Sequence, residues 1–439
     1  MKGLPAWCGG RAHVAGGPRP PLARALLVWD AEVEVDVELE SMGEGPGDAV
    51  HASWLELSAS ALRHNVEVFR ALEGPGAPPR SLGAVLKGNA YGHGLAQVLP
   101  LVHGQVDVLY FIAPQDALKV REHERAHGLP PRQVLVLGAV GPREAVVLAR
   151  EGVEVVVADR GWADAVTVLR AAKLARPLRV HVHIDTGLGR EGFTLDGLPR
   201  ESHFLVEARD VLEVVGALSH FANTEDVTEQ GYALAQVDAF ESGLAFLESQ
   251  LKPAKPLQRH IAASAATLVL PRARYEALRV GISLYGLWPS PETRLSARLV
   301  LGEVPVLKPV LSWKCRSQVV KWLPAGSYVG YGCTYRCPEP TRIAVLPVGY
   351  YDGYPRLASG KAHVLVNGRR CPVLGRVMMN HLIVDVTRAT SDERPVTATL
   401  MGKDGEESVS AESLANWAQT IHYEVVTRLG SHLKRVVVE

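Results

Sequence analysis

The chain has 439 residues, too many for one ordinary small domain, and 47% of them are hydrophobic, enough for large buried cores. Basic and acidic residues number 47 each, so the formal net charge is zero, which excludes the one-signed field of a protein built to grip nucleic acid or an anionic membrane surface. Five scattered cysteines without a Cys-x-x-Cys pair form no disulfide framework and suit a reducing compartment, and no apolar run approaches the ~20 residues of a membrane span.

Residues 1–51 are rich in Gly, Pro and Ala and carry no helical periodicity, so they read as a disordered extension or as sequence ahead of a start at Met42. The apolar stretch 21–29 runs straight into an acidic alternating segment, without the small-residue cleavage site of a secretory signal. Residues 32–40 could alternatively add a strand. From Trp54 the texture becomes regular. Ser58 or Ser60 can cap a helix whose apolar positions include Leu62, Val66 and Phe69. Strands are predicted at 83–87, 108–112, 133–137, 154–158, 179–184, 214–219, 260–263 and 278–284. Helices fall between them, at 115–123, 142–150, 162–172 and 236–249 among others. Continuous apolar strands separated by helices mean parallel strands buried on both faces. Eight such units in about 230 residues fit a closed (β/α)8 barrel over residues 52–295 better than an open sheet. After about residue 293 the helical spacing disappears. Strands are predicted at 301–311, 312–321, 342–346, 363–366, 371–376, 382–386 and 397–401, with one helix at 410–419. Residues 296–439 thus read as a second, mostly β domain.

A barrel carries its active site on the loops after the C-terminal strand ends, and polar residues gather there. Lys87 ends the first strand and is followed by Tyr91 and by Gly88, Gly92 and Gly94, which let a ligand approach the backbone. Burial would lower its pKa and free an amine able to form a Schiff base with an aldehyde; taken alone, it is more readily a lysine reaching solvent. Gly281 and Ile282 can offer backbone N–H groups, and Ser264 a hydroxyl, where barrels often bind phosphate; separately they read as a turn and a helix cap. Arg279 is flanked by apolar Leu278 and Val280 and needs a partner, which an ion pair inside the barrel would equally supply. Arg190, after Gly187-Leu188-Gly189, is either a carboxylate fork or a surface loop arginine, and His220 could be a hydrogen-bonded histidine at the core edge. Tyr331 and Tyr350 sit among glycines, where tyrosines usually pack over turns. Cys333 and Cys337 lack the further ligands a metal needs.

Together these segments resemble the alanine racemase family, the fold type III pyridoxal-phosphate enzymes, from about Ala52 to the C-terminus. The most specific match is Leu86-Lys87-Gly88-Asn89-Ala90-Tyr91-Gly92-His93-Gly94, which is similar to the family's cofactor-lysine signature, with Gly88 where alanine is usual. The resemblance implies a head-to-tail homodimer with shared active sites, a small amino-acid substrate and neither nucleic acid nor membrane as a partner. It implies that Lys87 binds pyridoxal 5'-phosphate and acts as the base for the D isomer, with Tyr331 of the other subunit as the base for the L isomer. It further implies Tyr91, Ser264, Gly281 and Ile282 at the phosphate, Arg279 facing the pyridine nitrogen and His220 beside Arg279 and Tyr331. Arg190 and the backbone of Met379 would meet the substrate carboxylate, and Tyr350 would narrow the entry. The implied setting is a cytoplasmic supply of D-alanine for peptidoglycan.

That assignment suits the chemistry, because moving an α-proton between faces favours two bases on opposite sides of a planar adduct. Four positions depart from the family pattern. His183 stands where a carbamylated lysine is common, Ala263 where asparagine is, and Asn380 where aspartate is. Ser431 takes the place of a tyrosine that contacts the phosphate. Alternatives are a racemase acting on serine or larger amino acids, a decarboxylase of the same fold type, and a non-catalytic pyridoxal-phosphate carrier. The decarboxylase reading lacks its triple-glycine phosphate loop here, and the carrier reading does not explain the second domain.

Overall fold

Eight short strands, most of them apolar and buried, form a parallel ring in the computed structural model, which describes residues 52–72, 80–225 and 230–439; the seventh, Gln258–His260, is polar and only half-buried at its first two residues. These residues lie in one compact unit spanning 46–439. The extension read at 1–51, and the alternative strand at 32–40, fall outside the described residues. The ring runs Ser81–Val85, Val108–Phe111, Gln133–Val136, Glu154–Val157, Leu178–Asp185, Leu212–Leu218, Gln258–His260 and Ala277–Val280. The last strand pairs with the first in parallel register. The remaining seam is narrowed by a bridge between Ala263 and Arg279, and the Arg279 N–H donates to Ala262 O at 3.0 Å. Helices cover the outside. Pro114–His127 starts on its proline and ends at Gly128 in the left-handed region, the expected stop for a helix. Pro142–Arg150 matches its predicted span.

Three differences from the sequence reading have physical causes. The first strand ends at Val85, so Lys87 opens a turn instead of closing a strand. The eighth stops at Val280, because Gly281 turns the chain into a 3-10 turn, Ile282–Tyr285. The segment predicted as a strand at 301–311 is instead the end of a helix, Pro291–Leu301, and an extended connector. That helix had its signals in the sequence. Ser290 Oγ caps the Thr293 N–H at 3.0 Å, Pro291 and Glu292 open the first turn, and Gly302 follows at φ +78°. The connector finds no sheet partner. The buried Asn65 amide donates to Lys308 O and Leu284 O and accepts from the Lys308 N–H, doing the work of a strand neighbour.

The second domain is mostly β. Its larger sheet runs Arg369–Pro372, His363–Val366, Thr397–Asp404, Leu311–Arg316, Ser53–Ser58 and Lys434–Val438. Thus Ser53–Ser58, which the sequence reading placed at the start of the barrel, is a strand of this sheet, with Leu55 and Leu57 fully buried. A smaller sheet joins Val319–Leu323, Thr341–Leu346 and Leu382–Asp385. The predicted helix near 410–419 is Ala411–Ala418, capped by Ser410. Among the described residues no helix is long and apolar enough to cross a membrane.

Candidate active site

The chain after the first barrel strand makes an unusual turn. Gly88, Asn89, Ala90, Tyr91 and Gly92 all have positive φ, between +52° and +79°. Each non-glycine residue there costs about 1–2 kcal/mol, less for asparagine, and hydrogen bonds hold the turn against that cost. The Ala90 N–H donates to Leu86 O at 3.0 Å, the Gly92 N–H to Gly88 O at 2.9 Å, and the Leu95 N–H to Asn89 Oδ1 at 2.8 Å. The second domain braces the same turn. Arg435 donates to Gly92 O from Nη2 at 2.9 Å, and a methyl on Gly92 would lie only 1.8 Å from Val426 O. The strain is spent on aiming two side chains. Lys87 and Tyr91 face one cavity, with the Lys87 Nζ 5.8 Å from the Tyr91 ring centre. Lys87 is accessible from that cavity, yet burial by surrounding protein and the positive charges of Arg190 and Arg279 lower its pKa.

The cavity, about 510 Å³, opens at the C-terminal ends of the strands. Its size suits a cofactor-sized ligand with a small substrate. Arg190 reaches it from the loop after the fifth strand. There Asp185 Oδ1 accepts from the N–H groups of Gly187 (2.9 Å) and Gly189 (3.1 Å), and the Tyr232 hydroxyl donates to Gly187 O at 2.7 Å. Arg279 is buried and fully engaged on one side. Its Nη1 donates to His260 O (2.6 Å) and His260 Nδ1 (2.8 Å). Its Nη2 serves Ser219 O (2.7 Å), Ile261 O (3.0 Å) and His220 Nδ1 (3.2 Å). No partner for its Nε–H is found among the described residues, which leaves that donor for the cavity. Burial brings Arg279 down to about 10, so it stays charged at neutral pH.

At the opposite wall Ser264 Oγ accepts from the Gly281 N–H at 3.0 Å, which turns its own hydrogen free to donate. Tyr91, Ser264, Gly281 and Ile282 all line the cavity, but the Gly281 N–H, expected as a donor to a phosphate, is taken by Ser264 Oγ. A methyl on Gly281 would stand 2.4 Å from the Tyr91 hydroxyl. Gly281→Ala should therefore push Tyr91 aside and raise the dissociation constant of a phosphate-bearing cofactor by about ten-fold or more. Fluorescence titration checks this, and an unchanged constant would contradict a phosphate site at these residues.

Tyr331, Met379 and Tyr350 are not among the residues lining this cavity. They form a second group on the β domain. The Tyr350 N–H donates to Met378 O and the Tyr351 N–H to Met379 O, both at 3.0 Å, and Gly330 packs near Met378 Cε. Tyr331 is 72% exposed, and Tyr350, Tyr351 and Met379 are exposed beside it. One chain thus presents the predicted residues as two separate groups.

The comparisons with known proteins decide between the readings left open by geometry. The alanine racemase N-terminal domain model matches residues 57–289, and the C-terminal domain model matches residues 310–437. The chain belongs to the alanine racemase family. Alanine racemases of Leptospira interrogans and Symbiobacterium thermophilum are each 36% identical to it over 393 residues, covering 89% and 88% of this chain and 96% and 97% of theirs. Among solved structures, the alanine racemase of a D-cycloserine-producing Streptomyces lavendulae matches with a TM-score of 0.77 at 32% identity, over 89% of this chain and 97% of that one. The Bacillus anthracis alanine racemase with bound L-Ala-P matches with a TM-score of 0.76 at 31% identity, over 89% of this chain and 95% of that one.

Within this alanine racemase framework, sequence reasoning missed several residues. Tyr423 lines the cavity, its ring 6.3 Å from that of Tyr91, while Ser431 does not line it. Tyr423 comes from the helix His422–Thr427, which was not predicted. His183 lines the cavity too, but no hydrogen bond joins it to Arg190 among the described residues, and its Nδ1 is buried without a partner. His181, His260 and Glu154 lie behind Arg279. The alternation His181-Val182-His183 on a strand was the available signal, because period two puts both histidines on one face.

His93, His183 and His220 are held neutral. Burial, then the charges of Arg279 and Arg190, bring His183 to about 4 and His220 to about 3; burial brings His93 to about 4. Their ordinary value is 6.5. Below that pH the unfolded chain takes up protons that the folded chain refuses. This contribution to stability is therefore complete above pH 6.5 and drains away as pH falls toward 4. Urea midpoints of the cofactor-free protein should decline across that window, and a flat series would contradict the neutral histidines.

Proposed function

We propose that this enzyme interconverts L- and D-alanine with pyridoxal 5'-phosphate, as a head-to-tail homodimer whose active sites each join the barrel of one subunit to the β domain of the other. The observation that carries the reading is the convergence of Lys87, Tyr91, Ser264, Arg279 and Arg190 on one cavity. The donor set fits the cofactor. There is an amine for its aldehyde, the Tyr91 and Ser264 hydroxyls and the Ile282 N–H for its phosphate, and the Arg279 Nε–H for its ring nitrogen, and Gly281 leaves room that a Cβ would fill. Dimerisation is supported by the exposed aromatic group around Tyr331, Tyr350 and Tyr351, since exposed patches of this kind mark interaction surfaces.

When bound, the cofactor supplies the electron sink for the pair left at the α-carbon. Lys87, with its pKa lowered, exchanges the proton on the face that the D isomer presents. Tyr331 of the partner subunit exchanges it on the L face. Arg190 and the backbone of Met379 of the partner subunit hold the carboxylate, while Tyr350 of the partner subunit narrows the entry. Arg279 offers the ring nitrogen a hydrogen bond but keeps its proton, which limits the spread of charge and disfavours transamination. His220 accepts from Arg279 through Nδ1, so its other nitrogen carries the hydrogen on the cavity side. The product would supply D-alanine for peptidoglycan in the cytoplasm.

The test is D-alanine formation from L-alanine by the purified, cofactor-loaded protein. Faster turnover of L-serine would shift the substrate, carbon dioxide release would favour decarboxylation, and no turnover of any amino acid would defeat the proposal.

A further inference from the structure

A chain of buried polar groups runs from Arg279 down through the barrel, away from the cavity. Arg279 Nη1 lies 2.8 Å from His260 Nδ1, His260 Nε2 lies 2.8 Å from His181 Nδ1, and His181 Nε2 lies 2.9 Å from Glu154 Oε2. All four residues are at most 3% exposed. Glu154 opens its strand, at the end of the barrel remote from the cavity, where it also accepts from Gln133 Nε2 at 2.7 Å and lies 2.5 Å from Arg179 Nη1. Room for the chain is built in. A methyl on Gly216, on the neighbouring strand, would stand 2.2 Å from His181 Nδ1, so this residue is glycine for space.

The two ends dictate where the hydrogens go. A guanidinium can only donate, so His260 Nδ1 must be bare and its Nε2 must carry the hydrogen. That hydrogen points at His181 Nδ1, which must also be bare, and the hydrogen on His181 Nε2 goes to the carboxylate, which can only accept. A second proton on His181 would face His260 Nε2 donor to donor. Relieving that clash would move the His260 hydrogen to Nδ1, against Arg279. The chain therefore admits one hydrogen per imidazole, all pointing the same way.

We infer that Glu154 is a positioning residue for Arg279, acting through His181 and His260 by fixing the direction of this hydrogen-bond chain. The inference rests on the reading of Arg279 as the residue facing the cofactor ring. With Glu154 in place, Arg279 meets an acceptor at Nη1 and keeps its Nε–H toward the cavity. Without an acceptor at position 154, His181 and His260 are free to reverse, and Arg279 then faces a donor.

Solid-state NMR of the cofactor-free protein labelled with 15N-histidine reads the tautomers directly, with His181→Gln and His260→Gln assigning the signals. Both residues are expected as the neutral Nε2–H form in the wild-type chain at neutral pH. Either one found as Nδ1–H or as imidazolium would overturn the inference, with no variant needed. Glu154→Leu should give mixed tautomers at both rings. In the loaded enzyme it should lower kcat about ten-fold, with KM within about a factor of two, the scale of supporting-shell losses. Glu154→Gln keeps an acceptor oxygen and should restore both readouts, which a merely structural role for the charge would not allow. Unchanged tautomers and kcat in Glu154→Leu would overturn the inference. A wild-type protein that racemises nothing would sink the functional reading alone and leave the tautomers to judge this one.

Discussion

Replacing Lys87 with alanine should abolish racemisation in both directions, by about 10^3-fold or more, and remove the visible absorbance band of the bound cofactor. Two losses coincide in this variant, because the same amine would attach the aldehyde and exchange the α-proton. The structure gives the amine its fitness for both. Burial comes first in lowering its pKa, and the charges of Arg190 and Arg279 add to it. Lys87→Arg is the informative control, since it keeps the positive charge in the cavity while withholding a neutral amine. It should behave like the alanine variant. A small primary amine added to Lys87→Ala should recover part of the turnover, because the truncated side chain leaves space at the proton-transfer position. An unchanged band together with near-normal turnover would show that another lysine does the work.

Tyr331→Phe should lower kcat/KM by about 10^2- to 10^4-fold, the usual range for a lost general base. The loss must be equal in the two directions, because L- and D-alanine have the same free energy. The asymmetry lies in isotope exchange. In deuterated water D-alanine should still exchange its α-hydrogen through Lys87, while L-alanine should hardly exchange at all. Retained exchange from L-alanine would contradict the role of Tyr331. The separation of Tyr331 from the Lys87 cavity within one chain supplies a second readout. Mixing equal amounts of Lys87→Ala and Tyr331→Phe chains should restore about a quarter of the wild-type activity. Random pairing makes about half of the dimers mixed, and each mixed dimer holds one fully intact site. Failure to regain activity after subunit exchange would show that the bases are not shared between subunits.

Much of the fold was legible because its signals are local. Apolar strand runs bounded by helix caps and prolines gave the barrel its eight units, and the C-terminal strand ends pointed to Lys87, Arg190, Ser264 and Arg279. The errors came where a local pattern competes with a distant partner. Ser53–Ser58 looks like the lead-in to the barrel but pairs with Leu311–Arg316 and Lys434–Val438, more than 250 residues away. The connector before Leu311 has strand-like composition, yet the buried Asn65 satisfies its backbone and it joins no sheet. The helix Pro291–Leu301 was missed although Ser290, Pro291 and Gly302 announced it.

By itself the sequence determined the residue types of the site, since an amine, a guanidinium and hydroxyls at strand ends carry their chemistry wherever they are placed. It also determined the alternation of strand and helix, which depends on neighbours a few residues apart. Only the tertiary structure decided which of those groups share a cavity. It put Tyr423 beside Tyr91, kept Tyr331 on a separate face, and lined up Glu154, His181 and His260 behind Arg279. Hydrogen-bond direction and desolvation depend on atoms brought within about 3 Å, and no spacing along the chain encodes such contacts.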